Sequence, residues 1–154
     1  MPNGRMCASI GAALVTVVVG AAPAVAETGP AAAATPAYCN NDDPAGFPPD
    51  QMSSPRSTWL RGDPSYTELE LRYWAKGECA WGRITNGVVG DQIWVDRKPA
   101  SQVANDPHQQ LGATQITSGS SKYTYAWDDH NFLMRTCGRR AGGGTDTIRC
   151  TAWF

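Results

Sequence analysis

Residues Tyr66 to Trp74 alternate so regularly that they restrict the fold. Thr67, Leu69, Leu71 and Tyr73 share one face, and Glu68, Glu70 and Arg72 share the other. A period of two is the mark of a half-buried strand, because a helix would scatter those residues around its axis. After Lys76-Gly77 the run Cys79 to Thr85 continues in the same style, which predicts a hairpin. Its register places Leu69 opposite Ile84, Leu71 opposite Gly82 and Tyr73 opposite Ala80, so large residues meet small ones on the core side. Outside, Glu70 meets Arg83 as an ion pair and Arg72 meets Trp81 as a cation over an indole, each contributing ~0.5 kcal/mol.

Further segments of this kind follow: Ser57 to Leu60, Asp91 to Arg97, Ala113 to Ser118, Lys122 to Trp127, Asn131 to Cys137 and Thr147 to Trp153. Together they make about eight strands with no helix, the pattern of a small all-β antiparallel sandwich, with a barrel as the alternative. Within Lys122 to Trp127 the alternation puts Tyr123, Tyr125 and Trp127 on one face. Asp128-Asp129-His130-Asn131 reads as a hairpin loop and Gly138 to Asp146 as a longer glycine-rich one, so the last three strands are expected to form a meander.

The amino-terminal end has a different character. Arg5 precedes an apolar run from Ile10 to Val19, Gly20 and Pro23 break it, and Ala24-Val25-Ala26 fits a small-residue cleavage site. The run is shorter than the ~20 residues of a membrane-spanning helix, so residues 1–26 read as a signal peptide. The mature chain, from Glu27, is then secreted and extracellular, with no membrane attachment. Cleavage removes Cys7 and leaves Cys39, Cys79, Cys137 and Cys150. An even set of cysteines in an exported chain reads as disulfides, and four of them permit three pairings. Cys137 and Cys150 flank the glycine-rich loop, so a bridge between them would join adjacent strands. Cys39 to Cys79 would then pin the preceding segment onto the outer face of the first hairpin, and this is the preferred arrangement. No C-x-x-C or H-x-x-x-H spacing occurs, so neither a metal nor a cofactor is expected.

From Glu27 to Pro55 the chain is acidic and rich in alanine and proline. Such a segment buries too little apolar surface to offset its ordering entropy. Residues 27–55 are therefore read as an irregular tail, tethered in part by Cys39, and residues 56–154 as the β domain.

Charge is balanced, with 13 Lys plus Arg against 14 Asp plus Glu, which speaks against a nucleic-acid partner. No G-x-S-x-G is present. His108 falls in a turn and His130 in a hairpin loop, where a solvated turn residue is the plain reading, and Arg83 claims Glu70. No catalytic residue is assigned, and the chain is read as not an enzyme. Two candidate binding sets stand out. Trp74, Trp81 and Trp94 are candidates for an aromatic platform for a cell-wall polymer, with the preferred reading that the segment tethered at Cys39 covers them. Arg135, Arg139, Arg140 and Arg149 surround the glycine-rich loop and would suit an anionic partner. Arg61-Gly62-Asp63 reads as a turn.

The stretches Glu68-Leu69-Glu70-Leu71-Arg72-Tyr73, Cys79-Ala80-Trp81-Gly82-Arg83-Ile84 and Gly90-Asp91-Gln92-Ile93-Trp94-Val95 resemble the core of the YjfA family. These are secreted proteins of Gram-positive bacteria with no assigned function. Cys39-Asn40 and Asp43-Pro44 match the early Cys-Asn and Asp-Pro of that family. The chain departs from it at Gly82, where the family has Ala, and at Phe47, where a second early cysteine is expected. The resemblance implies export and a β fold and brings no activity.

The expectation is a secreted, non-catalytic protein-interaction module or adaptor. A rigid β domain would engage another secreted protein through its loose leading arm or its aromatic face. The layout is similar to small adaptor subunits of secreted bacterial assemblies, including the umbrella-shaped antibacterial toxin particles of actinobacteria. A cell-wall or carbohydrate-binding protein is the alternative, and a small secreted hydrolase ranks last.

Overall fold

The computed structural model describes residues 39–60, 66–103 and 107–154. The leader, the arm to residue 38 and Arg61-Gly62-Asp63 lie outside the described residues. Among the described residues nine strands run in chain order: β1 Met52–Trp59, β2 Glu68–Trp74, β3 Cys79–Thr85, β4 Gln92–Pro99, β5 Gln109–Gln115, β6 Lys122–Tyr123, β7 Trp127–Asp128, β8 Phe132–Arg139 and β9 Arg149–Cys150. Among the described residues the only helical pieces are short 3₁₀ turns. All strand pairs are antiparallel, and they form two sheets. The first has the order β1-β2-β3-β6, with β7 also on β3, and the second has the order β5-β4-β8-β9. The fold is an open sandwich and not a closed barrel.

The first hairpin has the predicted register, with Leu69 opposite Ile84, Leu71 opposite Gly82, Tyr73 opposite Ala80, Glu70 opposite Arg83 and Arg72 opposite Trp81. Alternation turns the apolar set of each strand toward the other sheet. Leu60, Leu69, Ile84, Ile93 and Ile116 form one core cluster. Leu71, Ala80, Val95, Leu111 and Met134 form a second, flanked by Tyr73, Trp127 and Phe154. Thr136 Oγ1 donates to Glu70 O at 3.0 Å, so a buried hydroxyl ties β8 to the facing sheet without leaving a polar group unpaired.

Both disulfides join the expected partners, Cys39 to Cys79 and Cys137 to Cys150. Cys39, Cys79, Trp81 and Ala126 make a third apolar cluster outside the first sheet, with Phe47, Met52 and Trp74 packed against it.

Four readings need correction. The segment Lys122 to Trp127 is not one strand but two short ones, Lys122–Tyr123 and Trp127–Asp128, each paired with β3. Tyr123 and Tyr125 are exposed, while Thr124 and Ala126 are buried. The small residues go inward because Thr124 exchanges hydrogen bonds with Gly82 and Ala126 pairs with Asp42 under the tethered segment. The turn at Asp128 to Asn131 is also no hairpin, since β7 pairs with β3 and β8 with β4 in the other sheet. Arg72 does not lie over Trp81. It donates to Ser54 Oγ at 2.8 Å, and Trp81 meets the Phe47 ring instead. Finally, β1 begins at Met52 and crosses the boundary that composition placed after residue 55. Pro55 is tolerated there because β1 is an edge strand whose register shifts between Ser53 and Arg56.

Candidate functional site

The tryptophans do not form a platform. Trp81 is 4% and Trp94 8% exposed. Phe47 stacks on Trp74 with ring centroids 4.7 Å apart and meets Trp81 edge-on at 5.5 Å. Trp74 Nε1 is engaged as well, donating to Gln51 Oε1 at 3.1 Å. The segment held by Cys39 therefore covers the outer face of the first hairpin. Trp81 lines a small pocket of about 180 Å³.

The arginines are dispersed into local contacts. Arg135 donates from Nε to Asp96 Oδ2 at 2.9 Å and stacks over Trp153 at 4.4 Å. Arg139 donates to Gln92 Oε1 at 2.8 Å, and Arg149 donates to the carbonyls of Asp146 and Ile148. Arg140 also has an interaction of its own. Only Arg139 of the four lines either large groove of the molecule.

Those two grooves adjoin along β5. The first, about 520 Å³, has Trp94 and Gln92 of β4, Gln110, Thr114 and Gln115 of β5, Lys122, Arg139 and Ile148 in its walls. The second, about 510 Å³, runs past Gly112, Ser118, Ser121, Tyr123 and Tyr125 to Asp43. They share Ala113, Thr114, Thr117 and Lys122, so one trough straddles β5. The strand is the edge of its sheet. Against β4 its register shifts by one residue at Gly112, whose φ is +59°. That bulge kinks the strand along the trough. Ile116 N donates inward to Asp91 O, and the alternation of an antiparallel ladder then turns the Gln115 N–H outward. Two cations and no carboxylate line the first groove among the described residues. Sequence patterning did not point to this trough, because its walls are ordinary Gln, Thr and Ser brought together by the meeting of two sheet edges.

Two acidic centres lie apart from the trough. On the outer face of the second sheet Asp96 is 2% exposed. Its Oδ2 receives Arg135 and lies 3.3 Å from His108 Nε2, while its Oδ1 has no partner. Trp153 closes this face, with Lys98 Nζ 4.8 Å from its ring centre. Asp96, Cys137 and Cys150 place their donor atoms within 4.8 Å of one another, but both sulfurs are bonded to each other and neither is free as a thiolate ligand.

The other centre is the turn after β7. His130 Nδ1 lies 2.6 Å from Glu78 Oε2. Burial pushes the Asp129 carboxyl up to about 7, with Asp128 and Glu78 adding to the rise and Arg97 opposing it. Burial and the same acidic neighbours, Asp129 and Glu78, raise the Tyr73 phenol. Asp129 could exchange a proton near neutrality, yet neither it nor His130 nor Glu78 lines either large groove. The trough itself offers hydrogen-bond donors and acceptors, two cations and a free strand edge, which is binding chemistry. No family model, curated protein or solved structure matches the chain.

Proposed function

We propose that the protein is a secreted, non-catalytic interaction module of the YjfA type that receives an extended segment of a partner polypeptide along β5. The observation that carries this reading is the trough straddling a free strand edge. A bound strand would pair with the outward backbone groups of β5, and the Gln, Thr and Ser walls would read its side chains. Lys122 and Arg139 favour a segment bearing acidic residues. Export through the leader at residues 1–26 agrees with the two disulfides, which form and persist in oxidising compartments. No helix among the described residues is long and apolar enough to cross a membrane. An adaptor role in a secreted assembly would use this trough, with the arm before Cys39 as a second point of attachment.

The experiment is affinity capture from the culture medium with the tagged protein and with Gln115→Pro. Proline removes one outward N–H, a change that edge strands tolerate. The variant should keep its thermal midpoint and lose the captured partner. Undiminished capture by a folded variant refutes strand pairing. A second reading follows from Trp94 in the wall of the first groove among three glutamines, a set that suits a sugar. Under it the protein pellets with isolated cell walls, and Gln115→Pro leaves that pelleting intact.

A further inference from the structure

We propose that the Cys137–Cys150 bridge is a thiol–disulfide exchange site, opened at Cys150 by external dithiols, with Asp96 stabilising its reduced form. The argument starts from one contact. Asp96 Oδ2 lies 3.2 Å from Cys137 Sγ. A sulfur within a disulfide carries no proton, so the oxidised protein makes no hydrogen bond there. The carboxylate is nonetheless buried, and its Oδ1 lacks any partner. Arg135 brings both Nε and Nη2 to Oδ2 instead of forking across the two oxygens. Reduction would give Oδ2 one more donor, the Cys137 S–H, from a sulfur that already lies in reach.

The two sulfurs differ in access. Cys137 is fully buried and Cys150 partly open, whereas both members of the Cys39–Cys79 bridge are fully buried. A thiolate must approach the sulfur it attacks, so exchange begins at Cys150 and expels the Cys137 sulfur. That sulfur takes up the proton the attacking thiol released, and then donates it in a hydrogen bond to Asp96 Oδ2. The reagent's second thiolate attacks its own sulfur in the mixed disulfide and expels Cys150, which is protonated in turn. One dithiol is oxidised to a disulfide and the bridge is reduced to two thiols; the reverse sequence reduces a disulfide. Polypeptide thiols suit the place, because Trp94 in the first groove is the cross-strand partner of Cys137. Asp96 touches only the protein's own sulfur and acts as a positioning residue.

The oxidised protein is equilibrated with graded ratios of reduced to oxidised dithiothreitol, quenched by alkylation and mapped by peptide mass spectrometry, with circular dichroism followed in parallel. Cys137 and Cys150 should alkylate at ratios where Cys39 and Cys79 remain bridged and the spectrum remains native. Asp96→Asn replaces a charge-assisted acceptor by a neutral one. It should move the Cys137–Cys150 midpoint about tenfold toward reducing conditions and leave the other bridge unmoved. Independently of whether that variant folds, Cys137→Ser leaves Cys150 as an open thiol, which should react with the aromatic disulfide dithionitrobenzoate at least ~10-fold faster than the buried thiol left by Cys150→Ser. Simultaneous opening of both bridges, an unmoved midpoint in folded Asp96→Asn, or equal rates for the two serine variants each overturns the proposal. The probe is a small dithiol, so these outcomes are separate from the fate of the polypeptide-binding reading.

Discussion

Replacing Asp129 by Asn should stabilise the protein at alkaline pH and leave it nearly unchanged in acid. Asp129 sits in the turn between β7 and β8, where its backbone N–H donates to Glu78 O at 2.7 Å and its Oδ1 is buried without a partner. Its carboxyl is raised from 3.8 to about 7, first by burial and then by the negative charges of Asp128 and Glu78. The folded protein holds this proton more tightly than the unfolded chain does. The group therefore adds stability fully below about pH 4, and that contribution is lost as pH rises to about 7. At 1.36 kcal/mol per unit the whole shift corresponds to roughly 4 kcal/mol. The carboxyl is only partly buried, and solvent screening reduces this to ~1–2 kcal/mol. Asn carries no charge at any pH. In urea unfolding, the variant should match the wild type near about pH 4 and exceed it by ~1–2 kcal/mol at about pH 8, a rise in Tm of roughly 5 to 10 °C. A difference that stays flat between those pH values, or a variant less stable in alkali, would falsify the account of why this carboxyl is perturbed.

Two further substitutions probe the packing. Phe47→Ala removes the ring that stacks on Trp74 and meets Trp81. It should lower stability by ~2 kcal/mol and red-shift the tryptophan emission as water reaches Trp81, whereas an unshifted spectrum means that some other group covers the face. Gly138→Ala places a Cβ 2.8 Å from both Gln92 O and Leu69 Cδ2, a backbone atom and a core side chain. The overpacking should lower stability by ~1–3 kcal/mol in thermal unfolding, and an unchanged midpoint means that β8 can move away from β2.

What could be read directly was whatever depends on neighbours in the chain. The alternation of Leu69, Leu71 and Tyr73, and the short link to Cys79, sufficed for the register of the first hairpin, because a slip of one residue would turn every apolar side chain to the wrong face. Cys137 and Cys150 flank one loop, and closure of that loop brought them together. The alternation at Tyr123, Tyr125 and Trp127 was equally clear but named no inward face: Tyr123 and Tyr125 are exposed, and Trp127 packs against the core. A period of two says that the faces differ and leaves open which one is covered. The covering element there is the segment that runs from Cys39 past Asp42.

The amino-acid order by itself determined an antiparallel β architecture and the pairing of its first hairpin. Each of these follows from backbone geometry acting over short distances. Only the tertiary structure decided that Trp74 and Trp81 are roofed by Phe47, that the chain changes sheets between Asp128 and Phe132, that two sheet edges enclose a trough beside β5, and that Asp96 lies against a disulfide. Those features join residues far apart in sequence, and local propensity carries no information about such meetings, which are set by how two twisted sheets pack.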